Sequence, residues 1–314
     1  MSTAPKILVT CPPMLGMIDS FKLLFAGHGW QVTAPKVVQT LSVAELTELV
    51  PQHDGWIIGD DPATRAVFEA GKFGHLKAAV KWGIGIDNVD VSACEDLEIP
   101  ITNTPNMFGA EVADIAMGYV IALARETFQI DDGVRQGQWP KPRGISLGGK
   151  TVALVGYGDI GKNVAKRLLS ADMHVIAYDP YALDDPYLLS VERANWPERL
   201  DSADFLVLTS ALTDSSWHMV NAETLALTKP GVRIVNVGRG PLIDETALED
   251  ALKSGHVYSA ALDVFEHEPL PMKSYLRTHP LCIFGSHNAS NTADAVVRTS
   301  EIAIGKLAEF LNER

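Results

Sequence analysis

At 314 residues, with 46% hydrophobic and 21% charged side chains, the chain has a globular composition and room for two domains, each with its own core. Its formal charge of −13, from 26 basic and 39 acidic residues, argues against nucleic acid as a partner, because phosphate neutralisation needs grouped Lys and Arg. Three scattered cysteines, Cys11, Cys94 and Cys282, form no CxxC pair, which points to a reducing, cytoplasmic setting and offers no metal framework.

Met1 to Lys6 lacks the basic start and apolar run of a signal peptide. The most apolar stretch, Ile115 to Ala124, is about half the length of a bilayer span and reads as a buried helix, so no membrane partner is expected. From the N-terminus, Ile7 to Val9 reads as a strand and Ile18 to Ala26 as a helix ending at Gly27. Ser42-Val43-Ala44-Glu45 is a capping box that starts the next helix. Gly55 to Ile58 and Leu76 to Lys81 read as strands, with a helix from Thr64 to Ala70 between them. This alternation predicts parallel pairing in a doubly wound α/β sheet. The first strand runs into Cys11-Pro12-Pro13, so this half has no dinucleotide loop.

A helix over Val112 to Arg125 links this series to a second one. Its predicted strands are Thr151 to Val155, His174 to Tyr178, Phe205 to Leu208, Arg233 to Val237 and Ser259 to Val264. Helical patterns run from Ile160 to Leu169, from Glu245 to Lys253 (ended by Gly255), and from Ala293 to Leu311.

Between the first of these strands and its helix lies Gly156-Tyr157-Gly158-Asp159-Ile160-Gly161. A GxGxxG pattern alone is weak, but a strand before it and a helix after it give it a mechanism. Gly156 permits the tight turn, Gly158 lets backbone approach a pyrophosphate, and Gly161 allows close helix–strand packing. The helix start, at Asp159 and Ile160, supplies free N–H groups and partial positive charge. Asp179 ends the next strand, eighteen residues beyond Gly161, and is placed to accept from ribose hydroxyls. Pro180 and Tyr181 follow, with no Arg for a 2′-phosphate, so the expected cofactor is NAD rather than NADP.

Arg239, Glu268 and His287 fall where strands of the second series end or pass into loops. Hydride transfer to a 2-keto acid needs a planar cation for the carboxylate, a donor for charge developing on the carbonyl oxygen, and an acid with a pKa near working pH. Arg239 suits the first two demands and His287 the third, with Glu268 orienting the imidazole and raising its pKa. Each residue also has a plain reading: a turn arginine in an ion pair, a solvated glutamate, a loop histidine. His267 competes for the acid role.

Taken together, these motifs resemble the D-isomer-specific 2-hydroxyacid dehydrogenase family over nearly the whole chain. The resemblance rests on Lys81-Trp82-Gly83-Ile84-Gly85-Ile86-Asp87-Asn88-Val89-Asp90, Asn103-Thr104-Pro105-Asn106, the glycine loop, Asn236-Val237-Gly238-Arg239-Gly240, Ala261-Leu262-Asp263-Val264-Phe265 and Ser286-His287-Asn288-Ala289-Ser290. It implies a catalytic triad of Arg239, Glu268 and His287, which makes His267 the weaker acid. It also implies that Asp263 contacts the nicotinamide carboxamide, that Thr104 belongs to the cofactor site, and that Lys81, Trp82 and Gly83 line the substrate. Backbone around Ile84 and Gly85 would bind the substrate carboxylate. The implied architecture is a Rossmann NAD-binding domain, residues 102–287 with the linking helix 112–125, inserted into a flavodoxin-like substrate domain of residues 1–101 and 288–314. A homodimer built on the linking helix is expected on the same ground.

The chain is most similar to the phosphoglycerate dehydrogenase-like group, with departures. Lys81 stands where that group often has Arg, and the loop Asp60-Asp61-Pro62 carries two acids where a base is usual. These acids are expected to repel a phosphate-bearing substrate, and a smaller or differently charged 2-keto acid is an equal expectation. The regulatory C-terminal domain of some members is not expected here, and Thr209-Ser210-Ala211-Leu212 lacks a proline usual in the family. Two other readings remain open: a nicotinamide-sensing, co-repressor-like interaction protein, and formate-dehydrogenase-type chemistry, for which the required Gln and insertions are not evident.

Overall fold

Short runs of β-branched and aliphatic residues, buried on both faces, form the central strands of two all-parallel sheets. The computed structural model describes residues 4–182 and 190–312, so part of the Met1 to Lys6 reading lies outside the described residues. The chain divides into two units, Met1–Met107 with Asn291–Arg314, and Phe108–Ser290.

The first unit holds β1 (Lys6–Val9), β2 (Gln31–Thr33), β3 (Gly55–Ile58), β4 (Ala78–Lys81) and β5 (Ile101–Asn103) in the order β2-β1-β3-β4-β5. Ile7 pairs with Gly55 and Leu8 with Trp56, which sets Trp56 beneath Phe68 in the core. Ser42 caps the helix Val43–Leu49 in a full capping box with Glu45. The expected helix over 18–26 is instead two pieces, a 3₁₀ turn Ile18–Phe21 and a helix Lys22–Gly27, and a further helix Pro12–Gly16 precedes them. Pro12 and Pro13 suit a first helical turn, where no amide hydrogen is needed, so helix begins directly after β1. The last helix, Ala293–Asn312, packs on β3 and β4. Leu307 fills the space where Gly55 has no side chain, and Trp82 donates to Ser300 Oγ at 3.1 Å.

The second unit begins with helices Gly109–Arg125 and Thr127–Arg135, followed by β6 (Thr151–Val155), β7 (His174–Tyr178), β8 (Glu192–Arg193), β9 (Phe205–Leu208), β10 (Val232–Asn236), β11 (Val257–Leu262) and β12 (Cys282–Phe284). Their order is β12-β11-β10-β9-β6-β7-β8. The linking helix is part of this unit. It lies against the helix Asp159–Ser170, where Arg167 pairs with Asp114 at 2.7 Å and donates to the Ala110 carbonyl. A Cβ on Gly109 would meet the Asp159 carboxylate, which would have to turn aside.

Strand order reverses between β1 and β3 in the first sheet and between β6 and β9 in the second. Open α/β sheets bind ligands outside the carboxyl ends of strands at such points.

Candidate active site

In the second sheet, β6 ends in the glycine turn. Gly156 has φ +90°, which L side chains rarely adopt, and a Cβ there would press on the backbone of Ser210. A Cβ on Gly161 would overlap the Gly156 carbonyl oxygen. Thr209 Oγ1, just beyond β9, braces the turn by donating to that oxygen at 3.0 Å. Asp179 closes the turn from β7: its two carboxylate oxygens accept from Tyr157 N–H at 2.7 Å and Tyr181 N–H at 2.9 Å. A carboxylate has about four lone-pair sites, so capacity for ribose hydroxyls remains. The fit to a dinucleotide is visible in the chain itself. No side chain caps the start of helix Asp159–Ser170, and a Cβ on Gly158 would meet no atom within 4 Å. Uncapped N–H groups at an open helix start are an anion site.

The three charged residues leave neighbouring strands of the same sheet. Arg239 follows β10 and donates to the Gly238 carbonyl at 2.9 Å, and Gly240 beside it packs directly on the peptide after Phe265. Glu268 follows β11. One of its oxygens accepts from Phe265 N–H at 3.0 Å, and the other lies 2.8 Å from His287 Nδ1. Both side chains of that pair are about three-quarters buried. His287, beyond β12, takes a left-handed φ of +54°. Such a conformation is costly for a residue with a Cβ and is held here by several hydrogen bonds. His287 N–H donates to the Asp263 carbonyl at 2.7 Å, and the Asp263 carboxylate accepts from Asn288 and Ala289 N–H. Asp263 is thus the clamp on the histidine loop. Burial pushes its carboxyl up, while those two N–H groups pull it down. His267 is exposed on the Glu268 loop.

The first unit gathers the other site residues of the sequence analysis. Gly83 has φ +115°, and its N–H donates to Thr104 Oγ1 at 2.7 Å, so Thr104 shapes the turn over 83–85. Among the described residues, the N–H groups of Ile84 and Gly85 have no backbone acceptor. Lys81, at the end of β4, is buried, with Nζ 3.0 Å from Asp60 Oδ1 and 3.2 Å from the Trp82 carbonyl. The two acids of the Asp60-Asp61 loop differ in orientation, contrary to the expectation that both repel an anion. Asp61 turns inward to Thr10 Oγ1, Leu41 N–H and Gly59 N–H, and burial pushes its carboxyl up. Only Asp60 faces the lysine.

Three features escaped sequence reasoning. Asp60 is a partner of Lys81 across 21 residues, and His218 of Glu266 across 48, distances no local pattern spans. Ser210 Oγ, beside Gly156, is buried without a partner among the described residues. Its place after β9, at the reversal of strand order, was the available signal.

The family model for the D-isomer specific 2-hydroxyacid dehydrogenase NAD binding domain matches residues 117–289. A hydroxypyruvate reductase from Thermotoga maritima is 40% identical over 254 residues, 80% of this chain and 80% of the relative. A D-3-phosphoglycerate dehydrogenase from Methanocaldococcus jannaschii is 35% identical over 98% of this chain, which spans only 57% of that relative. The solved structure of the TT0316 protein from Thermus thermophilus superposes with a TM-score of 0.87 at 29% identity, covering 98% of this chain and 97% of that one. With its two parallel sheets and NAD-binding domain, the chain belongs to the D-isomer specific 2-hydroxyacid dehydrogenases, NAD-dependent oxidoreductases of small hydroxy acids.

Proposed function

We propose that the protein interconverts a 2-keto acid and a D-2-hydroxy acid, with Arg239, Glu268 and His287 as its catalytic residues. The observation that carries this reading is the His287–Glu268 pair at 2.8 Å, with the second Glu268 oxygen held by Phe265 N–H. Bound nicotinamide supplies the hydride for reduction and accepts it in oxidation. The Arg239 guanidinium engages the substrate and polarises its carbonyl. Glu268 holds Nδ1 of His287, so the proton that completes the hydroxyl leaves from Nε2. In oxidation the same nitrogen takes that proton back. On the first unit, the N–H groups of Ile84 and Gly85, which have no backbone acceptor among the described residues, suit a substrate carboxylate.

Charge favours a substrate without phosphate. The Lys81 ammonium is already matched by Asp60. Unit charges about 4 Å apart at an effective dielectric of about 20 interact by about 4 kcal/mol, so what a phosphate gains from Lys81 it loses to Asp60. Two-carbon and three-carbon keto acids of the glyoxylate and hydroxypyruvate kind, the substrates named for relatives, fit this neutral edge. A cytoplasmic homodimer completes the reading, supported by free cysteines and by the exposed apolar side chains Ile115, Ile121, Phe128 and Trp139 on and beyond the linking helix.

The test is NADH oxidation with a panel of 2-keto acids. His287→Ala should lower kcat about a thousandfold while the NADH dissociation constant moves by no more than about twofold. Turnover retained in that variant would shift the acid role to His267. NADH binding without oxidation by any keto acid would favour an interaction protein.

A further inference from the structure

The second unit contains another histidine–carboxylate pair that the reading above does not use. His218 Nε2 lies 2.5 Å from Glu266 Oε1, with both side chains largely buried. Like His287, His218 takes a positive φ, here +48°. Its ring stacks on Trp217, with centroids 4.7 Å apart and planes 25° from parallel. A histidine held at a positive φ is over-determined by its surroundings, and those of His218 are the two catalytic loops.

His218 is tied to both. Its backbone N–H donates to the Pro241 carbonyl at 2.8 Å, in the turn that follows Arg239. Its ring holds Glu266, whose own N–H donates to Glu245 Oε1 at 2.7 Å. Glu266 directly follows Phe265, and Phe265 N–H is the group that fixes Glu268. At the same point Gly240 leaves no room for a Cβ against the Phe265 carbonyl. The Arg239 turn and the Glu268 loop therefore meet at the peptide after Phe265, and His218 fastens one to the other.

Resting on the proposed roles of Arg239, Glu268 and His287, we infer that His218 is a positioning residue, which through Glu266 holds the Glu268 loop in register with the Arg239 turn. The titratable and charged groups facing this network are Glu245, Glu249 and His267 at the Glu266 end, and Asp263 at the His287 end. Loss of the strut lets Glu268 drift from His287, weakening its support of the imidazolium.

The experiment compares His218→Phe, which keeps a stacked ring but no donor, with Glu266→Leu, the double variant, and His218→Gln. Each of the first two should lower kcat/KM for the keto acid about tenfold and move the alkaline limb of the reduction profile to lower pH. The NADH dissociation constant should stay within about twofold. The double variant should be no worse than the poorer single one, because both remove one connection. His218→Gln, which restores an N–H donor, should recover most of the loss and keeps the test valid if the Phe variant folds poorly. Unchanged pH profiles with kcat/KM within about twofold, or additive losses, overturn the inference. His287→Ala separates this from failure of the triad itself: a silent His218→Phe beside a dead His287→Ala removes only the strut.

Discussion

A buried ammonium is costly unless it is paired, and the pairing decides what else it can bind. Lys81 meets Asp60 and the Trp82 carbonyl, so the carboxyl edge of the first sheet presents a satisfied cation rather than a waiting one. Asp60→Asn should unbalance that edge. The expected outcome is a rise of about tenfold or more in the ratio of kcat/KM for a phosphorylated over an unphosphorylated 2-keto acid. Steady-state kinetics on the two substrates would check it, and an unchanged ratio would place the pair outside substrate selection. At this scale the placement of Arg239, Glu268 and His287 after neighbouring strands was readable from residue type and local motif. The partners of Lys81 and His218 were not, since each contact joins loops from separate βα units.

The glycine turn works as a junction of three elements: β6, the helix Asp159–Ser170 and the loop beyond β9. Helix and strand touch at Gly161, where a methyl group has no space against the Gly156 carbonyl. Gly161→Ala should tilt the helix start and raise the NADH dissociation constant about tenfold or more. Fluorescence titration of the variant measures this, and wild-type affinity would mean that the turn is not the pyrophosphate seat. Elements buried on both faces were legible in the sequence. β3, β6, β7 and β9 start and stop where their apolar runs do, while β10 and β11 are displaced by one or two residues. The short strands β2 and β8 carry no such run, and pairing makes them strands. The helix Pro12–Gly16 was missed because Pro12 and Pro13 mark, in the sequence, only the absence of a dinucleotide loop, though they serve as a helix start.

Over the whole molecule, carboxyl titration couples pH to stability. Asp61, Asp263 and Glu245 are raised, in each case chiefly by burial. A raised carboxyl contributes stability fully below its unfolded pKa, and that contribution is lost as pH climbs through the folded value. At Asp54 and Asp204 burial also pushes upward, but hydrogen bonds together with Lys77 and Lys229 outweigh it and lower both carboxyls. Their contribution is present above the ordinary carboxylate range and lost as pH falls through the lowered values. With a net charge of −13 adding repulsion at higher pH, the unfolding temperature should fall as pH rises from the ordinary carboxylate range through the raised values of these groups. Calorimetry across that range checks the sign, and a rising midpoint would contradict it. The two-sheet plan itself was predictable from alternating strand and helix patterns, whereas the covering of β3 and β4 by the last helix rests on contacts distant in sequence.

That last helix sets a schedule for synthesis. All five strands of the first sheet have been made by Asn103, yet the helix that seals β3 and β4 begins only at Ala293. The intervening stretch takes roughly ten to forty seconds to translate at about 5–20 residues per second. Until then Gly55 has no Leu307 against it and Trp82 no Ser300. A nascent chain that pairs these strands early carries a sheet with one bare apolar face while an entire second unit is made. Chaperone dependence should therefore concentrate on the first hundred residues, and a chain cut before Ala293 should aggregate through that face rather than through the nucleotide-binding half.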